Sequence, residues 1–64
     1  MYFILFKSGK SNQWYWNLNA DNHKIIAAGQ DGYVNKQDAI HGISLVKLNA
    51  AISKVYDKSQ NVWI

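Results

Sequence analysis

The shortness of the chain, together with its lack of cysteine, restricts its folding more than any other feature. A single domain of 64 residues hides only about 60% of the surface that the unfolded chain exposes. Small domains usually add disulfides, a structural metal or association, and the absence of cysteine removes the first and the commonest ligand of the second. We therefore expect one domain, residues 1–64, that is completed by a second copy of itself.

The charge of the chain is dispersed. Seven lysines and four aspartates give a formal net charge of +3, and the chain contains neither arginine nor glutamate. Arginine is the residue suited to bidentate contacts with phosphate and guanine, so its absence argues against sequence-specific nucleic-acid binding. No stretch reaches the roughly 18 apolar residues of a membrane span, and we expect a cytoplasmic protein without membrane contact.

Turn residues divide the first half of the chain into three strands. Tyr2 to Lys7 is apolar and ends at the polar loop Ser8 to Asn12, which has hairpin length. Gln13 to Ala20 alternates between apolar and polar residues and predicts a half-buried strand. A turn at Asp21-Asn22-His23 leads to a third strand, Lys24 to Ala28, in meander order.

One helix follows, from Lys36 to about Asn49. Asn35 is placed to cap it, and Asp38 lies in its first turn, where an acid meets the positive end of the helix dipole. Gly42 lies beside the stripe that faces the sheet and would allow a close approach. Leu45, Leu48 and Ile52 fall nearly opposite that stripe, so a monomer would leave them in water.

The expected core lies between sheet and helix. It consists of Phe3, Leu5, Trp14, Trp16, Leu18, Ala39, Ile43 and Val46. After the helix, residues 53–57 predict a short final strand, and Val62-Trp63-Ile64 a further apolar element that needs pairing or cover. The predicted fold is therefore an α+β unit of order β-β-β-α-β, an antiparallel sheet packed by one helix.

This order of motifs resembles the YegP-like family of small bacterial domains. The resemblance rests on Gln13 to Leu18, Ala20 to Ala27, Gly32-Tyr33, Gly42-Ile43 and the Val46 to Ala50 segment. It implies a homodimer whose C-terminal strands are exchanged between two subunits. The exchanged interface would be Ser53, Lys54, Val55, Tyr56 and Asp57. The resemblance implies no biochemical activity, and association of two dimers through Leu45, Leu48 and the outer sheet face stays open.

Tyr2, Ile4, Phe6 and Tyr15 would form an exposed patch on the other face of the sheet. Patches of this kind usually mark contact. The patch is either covered by the C-terminal tail, a swapped element or another subunit, or it is a surface for a ligand or for stacked bases. We therefore predict a binding or protein-interaction module, with a weak, non-specific binder of single-stranded nucleic acid as the alternative. Whether a small-molecule ligand binds is left open by the sequence.

No catalytic, cofactor or metal site is predicted. His23 and His41 lack any recognised ligand spacing. The segment Ser8-Gly9-Lys10-Ser11 lacks the first glycine and the following helix of a phosphate-binding loop. The serines have no evident histidine partner for nucleophilic catalysis, and we expect that the protein is not an enzyme.

Overall fold

The computed structural model describes residues 1–64. Three strands are followed by one helix, a short 3₁₀ turn and a small hairpin. The elements are β1 (Tyr2–Lys7), β2 (Trp14–Asn19), β3 (Ile25–Ala28), α1 (Lys36–Asn49), the 3₁₀ turn (Ala50–Ile52), β4 (Tyr56–Asp57) and β5 (Val62–Trp63). The prediction of a small α+β fold with an antiparallel sheet and one helix is confirmed.

The sheet has the order β1-β2-β3, with both pairs antiparallel. Phe3 lies opposite Leu18 and Leu5 opposite Trp16, so these four side chains share one face of the sheet. The loop that joins β1 and β2 closes when the Asn12 amide donates to the Ser8 carbonyl at 2.9 Å, with Asn12 in the left-handed region at φ 62°. The first hairpin therefore forms where its polar turn residues predict it.

Two of the three predicted residues of the second turn stabilise it in different ways. Asn22 accepts the Lys24 amide on its side-chain oxygen at 3.2 Å, a local bond typical of asparagine in turns. His23 takes the positive φ of 70°, and its amide donates to the Ala20 carbonyl at 2.9 Å. β3 begins at Ile25, one residue later than predicted.

The chain returns to β2 after residues 29–32, a segment whose two glycines predict only a break in the strand pattern. Tyr33 and Trp14 exchange two backbone hydrogen bonds, of 2.7 and 2.8 Å, and the Gly29 amide donates to the Trp16 carbonyl at 3.0 Å. Gly29 and Tyr33 therefore both pair with β2, and residues 30–32 form a loop between them. This second pairing brings the Tyr33 side chain beneath the helix.

Helix α1 has the predicted bounds, but it is capped differently. Asn35 holds the extended backbone of an N-cap residue, φ −106° and ψ 138°, and its side chain accepts no helix amide. Its amide nitrogen instead donates to the Asp38 carboxylate at 3.4 Å. The Asp38 and Ala39 amides share the Asn35 carbonyl at 3.2 and 3.3 Å. The backbone of Asn35 thus starts the helix without the expected side-chain cap.

The interior is very small. Of 64 residues only three are buried, namely Trp16, Asn19 and Ala39. The other expected core residues are half-buried, and they surround Trp16 and Ala39 at the junction of β1, β2 and α1: Phe3, Leu5, Trp14, Leu18, Ile43 and Val46. Phe3 meets Trp16 edge to face with ring centroids 5.7 Å apart. Trp16 is the centre of this core.

The final strand is shorter than predicted and lies elsewhere. Ser53 to Val55 lie outside any strand, although the Val55 carbonyl accepts the Ile64 amide at 2.9 Å. Only Tyr56–Asp57 forms a strand, which pairs with Val62–Trp63 in a separate two-stranded sheet. The prediction of a strand over residues 53–57 is thus wrong in its first three residues. The reason is that Ser53 ends the 3₁₀ turn, donating its hydroxyl to the Asn49 carbonyl at 2.6 Å and its amide to Ala50.

This hairpin stands away from the rest of the molecule. Neither β4 nor β5 packs against the first sheet or against α1. The radius of gyration is 13.9 Å, whereas about 11 Å is usual for a compact chain of this length. The accessible surface is 5270 Å², against roughly 4,200 Å² for a compact monomer of this mass. Residues 53–64, called the C-terminal arm below, account for the extended shape.

Gly42 is the position where helix and sheet come closest, and it gives a first prediction. A Cβ atom at Gly42 would overlap the Tyr33 hydroxyl oxygen and lie 3.1 Å from Tyr33 Cζ. We expect Gly42→Ala to destabilise the protein by about 1 kcal/mol, because overpacking costs about 1–3 kcal/mol and the gain in helix propensity returns only about 1 kcal/mol. In the Tyr33→Phe background the overlapping oxygen is absent, so the same change should be neutral or stabilising.

Urea unfolding of the four variants at one protein concentration measures this coupling. Equal effects of Gly42→Ala in both backgrounds would show that the tyrosine hydroxyl does not set the helix position.

Candidate functional site

The first candidate surface is the outer face of the sheet. Tyr2, Ile4 and Phe6 are 37–39% exposed and point away from α1. Phe6 stacks on Tyr15, which lies opposite it on β2, with ring centroids 5.9 Å apart and an angle of 21° between the rings. These four residues, called the outer patch below, lie together on the face opposite the core.

Two neighbours fix the orientation of the aromatic rings in the outer patch. The Tyr2 hydroxyl lies 2.6 Å from His23 Nδ1, which ties the first strand to the second turn. Gly32 leaves space for the Tyr15 ring, since a Cβ atom there would lie 2.8 Å from Tyr15 Cζ. The outer patch is therefore held in place by its surroundings and not only by the strands that carry it.

Two of the seven lysines lie on the opposite side of the sheet, the side that carries α1. Lys7 is in register with Trp14, and its ammonium lies 5.8 Å from the centre of the Trp14 indole. Lys36, from the first turn of α1, lies 5.4 Å from the same ring. Both ammonium groups are thus placed for cation–π contact with one side chain on the helix side, and the strand positions of the outer patch carry no lysine.

The second candidate surface is the C-terminal arm. It contains every residue of the expected exchange interface, and Ser53, Lys54, Val55 and Tyr56 are exposed while Asp57 is half-buried. Within the arm the Tyr56 and Trp63 rings meet edge to face at 5.0 Å, and the Ile64 amide donates to the Val55 carbonyl at 2.9 Å. The arm is therefore an ordered hairpin with apolar side chains in water.

The turn of the arm is organised by one carboxylate. Asp57 accepts the Ser59 amide at 2.9 Å and the Ser59 hydroxyl as well. These bonds, the hydroxyl bond first, lower the pKa of Asp57 below its ordinary value. Asn61 completes the turn with a φ of 56° and accepts the Tyr56 hydroxyl at 3.0 Å. The spacing of Asp57, Ser59 and Asn61 is the sequence signal that identifies this hairpin.

The third surface is an open groove at the C-terminal end of α1, beside Leu45, where association of two dimers was left open. It is lined by Leu45, Val46, Asn49, Ala50 and Ser53. Leu48, which borders a second, smaller groove with Ser44 and Lys47, is 75% exposed, and Ile52 in the 3₁₀ turn is 78% exposed. The available sequence signal was the set of leucines opposite the core stripe of the helix. The groove formed by the five lining residues is called the helix groove below.

Side chains that could support chemistry are not brought together. His23 contacts Tyr2, His41 is exposed on α1, and no three His, Asp, Glu or Cys side chains form a group able to hold a metal ion. The two serines nearest the first glycine serve the hairpin loop, where the Ser8 hydroxyl accepts the Lys10 amide at 3.2 Å and the Ser11 hydroxyl accepts that of Gln13 at 3.4 Å.

The helix is too short and too polar to cross a membrane.

Most of this chain is similar in sequence to known proteins. Residues 10–57 match the model of a domain of unknown function, DUF1508. Two UPF0339 proteins of Neisseria meningitidis, from serogroups B and A, are each 42% identical over 55 residues, which is 86% of this chain and 95% of theirs. None of these names gives an activity.

A solved structure shows the same architecture. The solution structure of a protein from Haloferax volcanii is 36% identical, covers 88% of this chain and 92% of its own, and superposes with a TM-score of 0.79. The chain therefore belongs to the DUF1508 family of small domains of unknown function, which confirms its resemblance to the YegP-like family.

Proposed function

We propose that this domain is a protein-interaction module that works as a homodimer, with the C-terminal arm of each copy lying on the other. The observation that carries the proposal is the separation of the arm from its own sheet and helix. An apolar two-stranded hairpin alone in water is marginally stable at best. The YegP-like resemblance supports the same arrangement, since it implies exchanged C-terminal strands.

The exposed area supports a dimer of ordinary size. Each chain exposes roughly 1,100 Å² more than a compact monomer of its mass would. If two copies covered this excess, they would hide about 2,200 Å² together, slightly more than the 1,200–2,000 Å² of typical specific interfaces. The area is thus sufficient for stable association without a third component.

The first strand offers the edge on which an exchanged strand could pair. β1 is a terminal strand of the sheet, six residues long, and regular along its whole register with β2. β3, at the other edge, has only four residues and an irregularity in its pairing opposite Leu18 and Asn19. A regular, unpaired edge accepts another strand most readily. We therefore place the partner's Ser53 to Asp57 beside β1.

The charge distribution favours a protein partner over nucleic acid. Single-stranded nucleic acid needs aromatic rings with cations beside them, whereas Lys7 and Lys36 lie on the helix side, around Trp14. The outer patch has the rings without the lysines. It fits an uncharged protein surface better, and we propose it as the region through which the dimer contacts other proteins. We infer no enzymatic role, since the helix groove is open and three of its five lining residues are apolar.

The solution mass tests the proposal. We expect light scattering to report twice 7.3 kDa at micromolar concentration. A folded particle of 7.3 kDa under these conditions would refute the homodimer.

Titration with random single-stranded oligonucleotides tests the alternative function, binding of single-stranded nucleic acid. We expect no fluorescence change at low or moderate salt. Binding that weakens as salt is added would instead indicate phosphate contacts and the release of counterions, and would favour the nucleic-acid role.

A further inference from the structure

The loop of residues 30–32 is fixed at both ends and free in between. Gly29 and Tyr33 bond to β2 on either side of it. Within the loop no backbone or side-chain group takes part in a hydrogen bond. Asp31 is exposed, and Gly32 follows it. The loop therefore presents a carboxylate and the next backbone amide, neither of which is engaged elsewhere.

An aspartate followed by glycine can react with its own backbone when both groups are free. The Gly32 nitrogen attacks Cγ of Asp31, the N–Cγ bond forms and the Cγ–OH bond breaks, and the hydroxyl leaves with the amide proton as water. Water then opens the cyclic succinimide at either carbonyl. Opening at Cγ restores aspartate, whereas opening at the α-carbonyl leaves Gly32 joined through Cγ, as isoaspartate. Glycine favours the attack because no Cβ atom stands beside its nitrogen.

Asp31 differs in both respects from the other three aspartates of the chain. Each of those carboxylates has a partner: Asp21 pairs with the amino group of Met1, Asp38 accepts the Asn35 side-chain amide at 3.4 Å, and Asp57 accepts the Ser59 amide at 2.9 Å. The residues that follow them all carry a side chain, namely Asn22, Ala39 and Lys58. Only Asp31 combines a free carboxylate with a following glycine.

Isoaspartate at residue 31 would change the path of the chain into Tyr33. It adds one carbon atom to the backbone, which lengthens the loop by about 1.5 Å. Gly32 has little room to move, since even a Cβ atom there would lie 2.8 Å from Tyr15 Cζ. The displacement therefore falls on Tyr15 in the outer patch and on the two hydrogen bonds between Tyr33 and Trp14.

We propose that Asp31-Gly32 is a site of spontaneous isomerisation, and that the isoaspartate form loosens the return of the chain to β2. The reaction needs no partner, cofactor or oxidant, because water is both released and consumed. The inference does not depend on the proposed homodimer, since every bond involved lies within one chain. It places a slow chemical change directly beside the outer patch.

Trypsin allows the four aspartates to be compared in one sample, because at least one lysine separates each from the next. Asp31 falls in residues 25–36, and the others fall in residues 11–24, 37–47 and 55–58. The folded wild-type chain is kept at neutral pH for several weeks, and isoaspartate is measured in each peptide by chromatography with electron-transfer fragmentation. We expect about tenfold more in residues 25–36 than in any other peptide. Equal amounts in the four peptides would overturn the assignment.

A synthetic peptide of residues 25–36 gives the rate without the fold. We expect the folded chain to react within about threefold of that rate, because no hydrogen bond of the loop has to open first. A folded chain that forms no isoaspartate while the peptide does would show that the fold protects the site, against the proposal. Asp31→Glu is the matched control, since its carboxyl would have to close a larger ring, and it should form no product in residues 25–36.

Hydrogen exchange at the Tyr33 amide tests the loosening separately. In the isoaspartate form, separated from the unmodified chain by ion-exchange chromatography, this amide should exchange about tenfold faster. In Asp31→Glu it should keep its initial rate through the same weeks. Unchanged exchange in the isoaspartate form would refute the effect on the return to β2.

Discussion

A chain that ends at Ile52 is expected to lose cooperative unfolding, and not only the ability to dimerise. Removal of the arm leaves a body in which only Trp16, Asn19 and Ala39 are buried. A core of this size contributes no more than about 3–5 kcal/mol. In the proposed dimer the partner's Val55 and Tyr56 supply about 1.5–3 kcal/mol each through burial. The loss is therefore as large as the whole stability of the domain.

Thermal unfolding followed by far-ultraviolet circular dichroism measures this effect. The truncated chain should give a shallow transition without a midpoint. A peptide of residues 53–64, added in trans at millimolar concentration, should restore a cooperative transition, because it supplies the strand that the partner would have provided. A truncated chain that unfolds cooperatively as a monomer would contradict the exchange of strands.

The elements that the sequence predicted are those specified by local signals. The loop after β1 and the turn at His23 are set by residues that tolerate a left-handed backbone or bond to it, and the bounds of β1 and β2 follow from those turns. Helix α1 follows from its apolar period and from the position of Asn35. Each of these signals operates within a few residues, and each is readable before the tertiary structure is known.

The features that were missed depend on pairing between distant parts of the chain. Tyr33 rejoins the sheet because Trp14, nineteen positions earlier, leaves a backbone amide and carbonyl without a partner. Nothing in residues 29–32 indicates that return. Similarly, Val55 and Tyr56 have strand propensity, but the partner strand decides where their own strand begins. The turn at Asp57 makes β5 that partner.

The candidate surfaces were predictable to different degrees. Alternation along β2 predicted that Tyr15 lies on the face opposite Trp16, since a strand has a period of two. β1 is apolar on both faces, so its own sequence did not decide which face is buried. The helix groove was not predictable as a shape, because it also requires the chain to leave α1 through the 3₁₀ turn and Ser53. Binding itself stays a prediction for both surfaces.

Substitution of Trp16 by alanine is expected to have the second large effect. Trp16 is 8% exposed and packs between β1, the helix and Gly29, where a Cβ atom would lie 2.7 Å from the indole nitrogen. Truncation of a buried tryptophan costs about 3–5 kcal/mol, as much as this small domain has. We expect Trp16→Ala to be largely unfolded, as measured by urea titration with circular dichroism at one protein concentration.

Two matched variants identify the cause. Trp14→Ala removes a ring of the same type from the rim, where its main partners are Lys7 and Lys36. Trp14→Ala should lower the free energy of unfolding by only about 1–2 kcal/mol. This loss combines the partial burial of the ring with cation–π contacts worth about 0.5–1 kcal/mol. If Trp14→Ala were the more damaging change, the centre of the core would lie at the rim of the sheet and not beneath α1.

Trp16→Phe separates the indole volume from its polar atom. The Trp16 Nε1 group is buried and has no hydrogen-bond partner, which costs about 1–3 kcal/mol. Phenylalanine removes that group but also loses apolar contacts of similar value. Because these two effects oppose each other, we expect the free energy of unfolding of Trp16→Phe to lie within about 1 kcal/mol of the wild-type value. A loss close to that of alanine would mean that the indole nitrogen is satisfied in solution, so that the core depends on the whole ring and its N–H together.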